Sequence, residues 1–334
     1  MALVDGGEQR VSYEQVREQV RAGGLFARDR AVLVMLSGGR DSTCLLDVTV
    51  ALLGAGAVSA LHVNYALRQQ ADADERHCGE LCRQLGVELE TVHAGGRASA
   101  DPGNLHAWAR ELRYTHARRI AEQRDALIAT GHTVSDQLET ILYRLAASPG
   151  RRALLGMPAA DGRLIRPLLG IDREQTAAYC RERGLSWRED ESNDDRRFAR
   201  ARVRHALVPA LRAVHPAAEA NVLRTAALLR EESELLDALV SEELDGRADE
   251  LGARGSIAIT RLRELPSALA RMVVVRLAED ATGVYVPQAG DRVQEILALA
   301  SRGGHAELHL GGQAAAVIDG GRLSMIKLPP RGAS

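Results

Sequence analysis

Six residues carry the strongest chemical signal in this sequence: Ser37, Gly38, Gly39, Arg40, Asp41 and Ser42 end the apolar run Ala31–Leu36 and open the helical pattern Thr43–Leu53. A short β-prone run, two glycines and a helix start make a site for an anion. Glycine lets backbone N–H groups approach a ligand with no Cβ in the way, the serines add hydroxyl donors, and the helix dipole favours negative charge. Asp41 is out of place among phosphate-binding groups unless a cation, most simply Mg²⁺, lies between it and the phosphates. An ordinary strand-to-helix turn accounts for Gly-Gly alone, but not for the whole Ser-Gly-Gly-Arg-Asp-Ser set.

Three further groups can do chemistry. In Gly131–Thr140, His132 and Asp136 stand four residues apart, a spacing that puts them on one helix face. His132 could donate to a phosphate oxygen and Asp136 could share the metal with Asp41; a plain helix start with Ser135 and Asp136 in its first turn is the competing reading. Arg113 lies on an expected helix with Arg118 and Arg119. A guanidinium can grip a transferring phosphoryl group in two places, whereas a solvated face is the default for the other two. Arg196, Arg197, Arg200, Arg202 and Arg204 fall within nine residues, a local patch able to hold a nucleic-acid backbone with salt-dependent affinity. The acids Glu189, Asp190, Glu191, Asp194 and Asp195 just before it offer intramolecular pairing instead, and the residues alone leave the choice open.

The elements that must position these groups alternate. Hydrophobic patterning predicts helix 14–28, strand 31–36, helix 42–53, strand 58–64, helix 72–86, strand 87–93, helix 105–124, strand 126–130 and helix 134–147. That order implies an α/β fold, a doubly wound parallel sheet with helices on both faces and ligands at the carboxyl ends of its strands. Residues 148–170 read as an irregular loop, 172–184 and 216–244 as helices, and the glycine-punctuated stretch 246–255 as a boundary. Beyond it, strand 256–260, helices near 264–279 and 288–300, and strands 306–310, 313–318 and 322–327 form a small α+β module. The expected organisation is a catalytic domain at 1–213, a helical linker at 214–254 and a small C-terminal domain at 255–330.

Bulk composition narrows the chemistry. The formal charge of −2 over 334 residues advertises no global affinity for nucleic acid, so any such surface is local. Lys327 is the sole lysine among 43 basic residues. A Walker A loop, a pyridoxal Schiff base and a lysyl-adenylate nucleophile each need a lysine that this chain cannot supply well. Nucleotides must therefore be handled by backbone amides, arginine and metal. Cys44, Cys78, Cys82 and Cys180 form no CxxC pair, the ten histidines show no zinc spacing, and no leader or membrane-length apolar run stands out. The expectation is a cytoplasmic protein with no membrane partner.

With these residues in view, the sequence resembles the PP-loop N-type ATP pyrophosphatases, and within them the tRNA(Ile)-lysidine synthetase family. The resemblance rests on Ser37–Ser42, His62-Val-Asn-Tyr-Ala-Leu-Arg68, Arg113-Tyr114, Gly131–Thr140, Leu154-Leu-Gly-Met157, Arg166-Pro-Leu-Leu169 and Glu189-Asp-Glu-Ser-Asn193, in family order. It is similar over residues 30 to 245, and more weakly in the C-terminal module through Leu308-His-Leu-Gly-Gly312. The resemblance implies an ATP- and Mg²⁺-dependent ligase that attaches free L-lysine to C2 of the wobble cytidine of tRNA(Ile) with a CAU anticodon, releasing AMP and pyrophosphate. It implies Ser37 to Ser42 as the ATP-binding loop, Asp41 and Asp136 as Mg²⁺ ligands, and Arg113 and His132 at the α-phosphate. Glu139 is the candidate for the lysine ammonium, and Arg196, Arg197, Arg200, Arg202 and Arg204, with the C-terminal domain, for the tRNA. RNA is the implied nucleic acid, not DNA, and no motif bears on a homodimer.

The sequence departs from the family at Tyr65, where His is usual, at Ser135 for Asp, at Ala147–Gly150 for a Gly-Ser-Gly-like turn and at Ala201 for Asn. These touch metal count and RNA contacts more than reaction class. A PP-loop tRNA thiolase is the rival enzyme, and a degenerate PP-loop protein that only binds tRNA the rival from another class. Amidotransferase-linked relatives need a glutaminase domain for which there is no room.

Overall fold

A computed structural model describes residues 13–27, 29–66, 70–94, 105–148, 150–188, 198–245 and 255–329. Arg68, Arg196, Arg197 and the Glu189–Asn193 motif lie outside the described residues. The chain divides into two compact units, Met1–Ala226 and Ala227–Ser334.

The first unit is built on a six-stranded sheet in the order β3-β2-β1-β4-β6-β5. Strands β1 (Val32–Met35), β2 (Val58–Asn64), β3 (Glu88–His93) and β4 (Leu127–Ala129) pair in parallel, and α2 (Arg40–Leu53), α3 (Ala71–Leu85) and α4 (Leu105–Gln123) make the crossovers. The alternation of β1 explains why both faces are covered. Val32 and Val34 join a core with α1 (Tyr13–Ala22), α2, α3 and α7 (Arg173–Glu182), whereas Leu33 and Met35 pack with Tyr114, Ala117 and Ile120 of α4. A strand buried on both sides reads as an unbroken apolar run, as Ala31–Leu36 does. The doubly wound sheet expected from the sequence is present.

Chain direction reverses between β1 and β4: the path runs outward from β1 through β2 to β3, then returns to β4 on the other side of β1. The loops after β1 and β4 therefore flank the switch point, where open α/β sheets bind ligands. These loops are Ser37–Ser42 and Gly131–Thr133, followed by α5 (Val134–Ala147).

The stretch 148–170, expected as loop, is a correction. It holds the short helix α6 (Arg151–Leu154) and a hairpin of β5 (Ala160–Asp161) and β6 (Leu164–Ile165) that extends the sheet, β6 pairing with β4 in parallel and β5 with β6 antiparallel. Two-residue strands are too short for periodicity to reveal, and their register comes from β4. Helix 14–28 likewise stops early, at Ala22, where Gly23 and Gly24 follow.

The second unit carries a four-stranded antiparallel sheet, ordered β7-β10-β9-β8, from β7 (Ser256–Ala258), β8 (Ala306–Gly311), β9 (Ala314–Asp319) and β10 (Arg322–Lys327). Helices Ser267–Thr282 and Val293–Ala300 contribute Val273, Val274, Leu277, Val293 and Ile296 to its core. The α+β module is as expected, although strand 256–260 ends at Ala258 and continues as a helical turn.

A buried carboxylate helps tie α7 to α2. Asp47, 1% exposed, accepts from Tyr179 Oη at 2.6 Å and from Arg183 Nε and Nη2 at 3.0 and 3.2 Å. Removing the carboxylate leaves the fully buried Tyr179 hydroxyl without its acceptor. Asp47→Ala is expected to cost about 2–3 kcal/mol in urea unfolding and Tyr179→Phe about 1 kcal/mol, because the phenylalanine strands no buried donor. Equal costs would deny Asp47 this role.

Candidate active site

Gly38 has φ +82°, and a Cβ there would sit 3.2 Å from Cys78 Sγ, so the turn after β1 needs glycine in both conformation and space. Gly39 then caps α2 with no side-chain acceptor, leaving the first-turn amides of Arg40, Asp41 and Ser42 without intrahelical partners. The hydroxyls of Ser37 and Ser42 lie 3.0 Å apart, Ser42 Oγ donates to Gly39 O at 2.8 Å, and Ser37 N donates to Ser42 Oγ at 3.2 Å. The loop is thus shaped by its own side chains into a ring of donors around a helix N-terminus, which suits phosphate.

The β4 loop lies directly against this ring. A Cβ at Gly131 would fall 3.1 Å from Asp41 C, Asp41 O and Ser42 N. A Cβ there would crowd main-chain atoms by a few tenths of an ångström, so glycine suits the approach that brings the two loops together. His132 follows, with Nδ1 2.8 Å from Thr130 Oγ1. The same hydroxyl stands 3.5 Å from Ile165 O, too long to compete with the 2.8 Å contact, so it is assigned as donor to Nδ1, which puts the ring proton on Nε2, available to a ligand. Burial is the largest influence on this ring and holds its pKa down to about 4; Arg166, Arg110 and Arg200 push the same way and Asp136 opposes them. At neutral pH His132 is an uncharged donor.

Asp136 closes a capping box: its Oδ2 accepts from Thr133 N at 2.9 Å and from Thr133 Oγ1 at 3.1 Å. Asp41 Oδ1 accepts from Thr176 Oγ1 at 2.6 Å and from Arg40 Nε at 3.0 Å, and Arg173 Nε stands 3.9 Å from Oδ2. Among the described residues, Asp41 Oδ2 and Asp136 Oδ1 carry no hydrogen bond, and no three His, Cys, Asp or Glu side chains cluster as metal ligands. Mg²⁺ ordinarily takes one or two carboxylates and completes its shell with phosphate and water, so one open oxygen on each acid fits that ion together with a nucleotide.

Residues 10–211 match the PP-loop domain family. The chain belongs to that family. Membership brings the use of ATP with it. Among curated relatives, tRNA(Ile)-lysidine synthase of Pseudomonas fluorescens is 41% identical over 219 residues, 63% of this chain and 48% of the relative. The enzymes of that name from Chromobacterium violaceum and Solibacter usitatus are 41% and 36% identical, covering 69% and 83% of this chain and 53% and 63% of theirs. The chain thus spans about half to three-fifths of these relatives' length. The U34-tRNA thiolase NcsA of Methanococcus maripaludis shares the fold at a TM-score of 0.54 and 17% identity, over 65% of this chain and 78% of that one.

Not every candidate lies where the sequence suggested. Glu139 is 4% exposed and is held by Arg204, whose Nε and Nη2 donate to its two oxygens at 2.6 and 3.1 Å. It is not an open receptor for an ammonium, and Arg204 is committed to it; ion pairing in the arginine run is real at this position, with Glu139 as the acid. Arg113 lies beside Tyr65 and Tyr114, its buried Nε without a partner, and is not among the charges acting on His132. Arg110, one turn earlier, and Arg166, after β6, take that place. His62 is structural, its buried Nδ1 3.0 Å from Leu36 O. Gly131, Arg110, Arg166 and Thr176 were missed as site residues. The Arg166-Pro-Leu-Leu motif offered a signal for one of them, whereas the others depend on contacts across the fold.

Two outcomes are expected. Gly131→Ala pushes the β4 loop off Asp41 and Ser42 and weakens Mg-ATP binding at least tenfold in calorimetry, while Gly170→Ala, with nothing within 4 Å, has no such effect. The depressed His132 pKa means that the unfolded chain takes up a proton between pH 6.5 and about 4 that the folded protein refuses, so stability is lost as pH falls through that window. His132→Gln should flatten this part of the profile in pH-dependent unfolding; an unchanged profile contradicts a buried neutral imidazole.

Proposed function

We propose that this protein is an ATP-dependent tRNA(Ile)-lysidine synthetase. The observation that carries the reading is the contact of the Ser37–Ser42 ring with Gly131, which brings an uncharged histidine donor to a phosphate loop at the sheet's switch point. The relatives' shared name, tRNA(Ile)-lysidine synthase, supports tRNA(Ile) as the substrate; the CAU anticodon and free L-lysine as the second substrate are carried over from the family resemblance.

In this reading the first-turn amides of α2 and the hydroxyls of Ser37 and Ser42 hold the pyrophosphate half of ATP. The cytidine O2 attacks the α-phosphorus and pyrophosphate departs toward the loop; the lysine ε-amine then attacks C2, loses its proton, and AMP leaves with O2. His132 Nε2–H donates to an α-phosphate oxygen as charge builds there, a stabilisation that needs no proton transfer. Arg113, whose buried Nε finds no acceptor among the described residues, is kept as the α4 candidate for this phosphate on the family resemblance, although Arg110 and Arg166, and not Arg113, act on His132. Asp41 and Asp136 would hold Mg²⁺, which would supply charge neutralisation for the pyrophosphate. Glu139 receives the lysine only by sharing its carboxylate with Arg204. Residues 1–213 act as the catalytic domain, 214–254 as linker and 255–330 as an RNA-binding module. Arg196, Arg197, Arg200 and Arg202 meet the tRNA. The proposed reaction places the work in the cytoplasm; among the described residues no helix is long and apolar enough to cross a membrane.

The cysteines favour lysine over sulfur as the second reactant. All four are buried, and burial pushes the thiols of Cys78 and Cys82 up to about 12 and 11, far from the reactive thiolate that sulfur transfer needs. The test is incubation with Mg-ATP, labelled lysine and unmodified tRNA(Ile). Label should appear on the RNA only when ATP is present, and Asp41→Ala should abolish it while retaining RNA binding. ATP-dependent sulfur uptake, or RNA binding without incorporation, would contradict the assignment.

A further inference from the structure

Three guanidiniums from separate elements act on His132, and a fourth, Arg144, whose Nη1 donates to Gly156 O at 2.7 Å, acts on one of the three. Arg110 comes from α4, Arg144 from α5, Arg166 from the end of β6 and Arg200 from the helical turn Ala199–Arg202. Arg110, Arg166 and Arg200 act on His132, and Arg110 and Arg144 act on Arg166. Asp136 and Asp161 are the acids that face this group. Such a concentration of like charge is costly unless an anion completes it.

The geometry gives this cluster a cleft. Arg110 and Arg166 line the same cleft of 340 Å³ with Tyr114, Arg118 and Arg163. Arg166 is 6% exposed; one Nη donates to Pro158 O at 2.7 Å, and its buried Nε has no partner. Arg110 lies over the Tyr114 ring at 4.6 Å, fixed by a cation–π contact that leaves its N–H edge free. At the other end of the cleft the charges are already matched, Arg163 with Asp125 at 2.7 Å and Arg118 with Glu111 at 4.0 Å. The unmatched end is the one nearest His132. Arg110 and Arg200 have no carboxylate partner among the described residues.

Sheet order says which anion belongs there. The pyrophosphate loop follows β1, His132 follows β4, and Arg166 follows β6, two strands or about 10 Å beyond β1. In phosphoryl transfer the nucleophile enters opposite the leaving group. Pyrophosphate leaving toward β1 requires the attacking nucleotide to arrive from the β6 side. We propose that Arg110, Arg144, Arg166 and Arg200 form a second phosphate site, distinct from Ser37–Ser42, that grips the RNA backbone beside the target nucleotide and holds its base in line with the α-phosphate. This rests on the nucleic-acid substrate proposed above. The cluster sets the approach of the base, and it accounts for a neutral histidine among arginines: the fixed cations bind the RNA while His132 remains a donor for the reacting phosphate.

Arg110 and Arg200 are exposed, and among the described residues neither side chain makes a hydrogen bond; Arg110 gives up only its contact with the Tyr114 ring, so their variants keep the fold. The probe is an unmodified CAU anticodon stem–loop, followed by fluorescence anisotropy from 50 to 200 mM salt, with Mg-ATP affinity measured separately without RNA. The Arg110→Gln/Arg200→Gln double variant is expected to bind the stem–loop about tenfold more weakly, with a salt slope smaller by about 1.4 for two lost single-strand phosphate contacts. Mg-ATP affinity should stay within about twofold, and the Arg→Lys pair should restore the slope. A methylphosphonate beside the target cytidine should weaken wild-type binding without further weakening the double variant. An unchanged slope, additive losses, or an equal loss of Mg-ATP affinity would overturn the site, the last by giving the arginines to ATP. A wild-type protein that fails to bind the stem–loop overturns it together with the functional reading. Binding that behaves as expected in a protein that attaches no lysine supports the site and overturns only the ligation.

Discussion

The architecture of the site depends on one close approach, that of Gly131 to the backbone of Asp41 and Ser42. Two loops from neighbouring strands meet there with no side chain between them. Had either carried a Cβ at that point, the histidine of one would stand away from the anion ring of the other. Parallel pairing of β1 with β4 sets the strand ends level, the switch in sheet order opens a crevice above them, and glycine lets the crevice close around a ligand of phosphate size.

Charge is distributed around this contact by role. The ring at α2 presents amides and hydroxyls, which carry no net charge and so do not compete for Asp41. That carboxylate is instead held by Thr176 and Arg40, which anchor the loop to α7. His132 is kept neutral by burial and by arginines, so it can donate to a phosphate without the larger desolvation cost of a buried imidazolium. A chain with one lysine accomplishes all this with guanidinium and backbone, as its composition requires.

What could be read in the sequence divides along physical lines. The helices were legible because each is long enough to show a period, the strands of the doubly wound sheet because they stand as short apolar runs between those helices, and Ser37–Ser42 because glycine and serine at a strand end have few other uses. The β5–β6 hairpin was not, since strands of two residues owe their existence to β4. Asp41, His132 and Asp136 were singled out by type and spacing. The pairing of Glu139 with Arg204, sixty-five residues apart, was invisible to spacing, and so was the choice of Arg110 over Arg113 as the neighbour of His132, which depends on how α4 turns against the sheet.

The central claim is that ATP bound at the joined loops is cut between its α- and β-phosphates by an RNA nucleophile. It is tested most directly with ATP labelled at the α-phosphate, mixed with unmodified tRNA(Ile) while lysine is withheld. The account predicts that label accumulates on the RNA as an adenylated nucleotide, with one pyrophosphate released per label, and is discharged as AMP when lysine is added. Release of ADP and orthophosphate, or of pyrophosphate without label on the RNA, would contradict it.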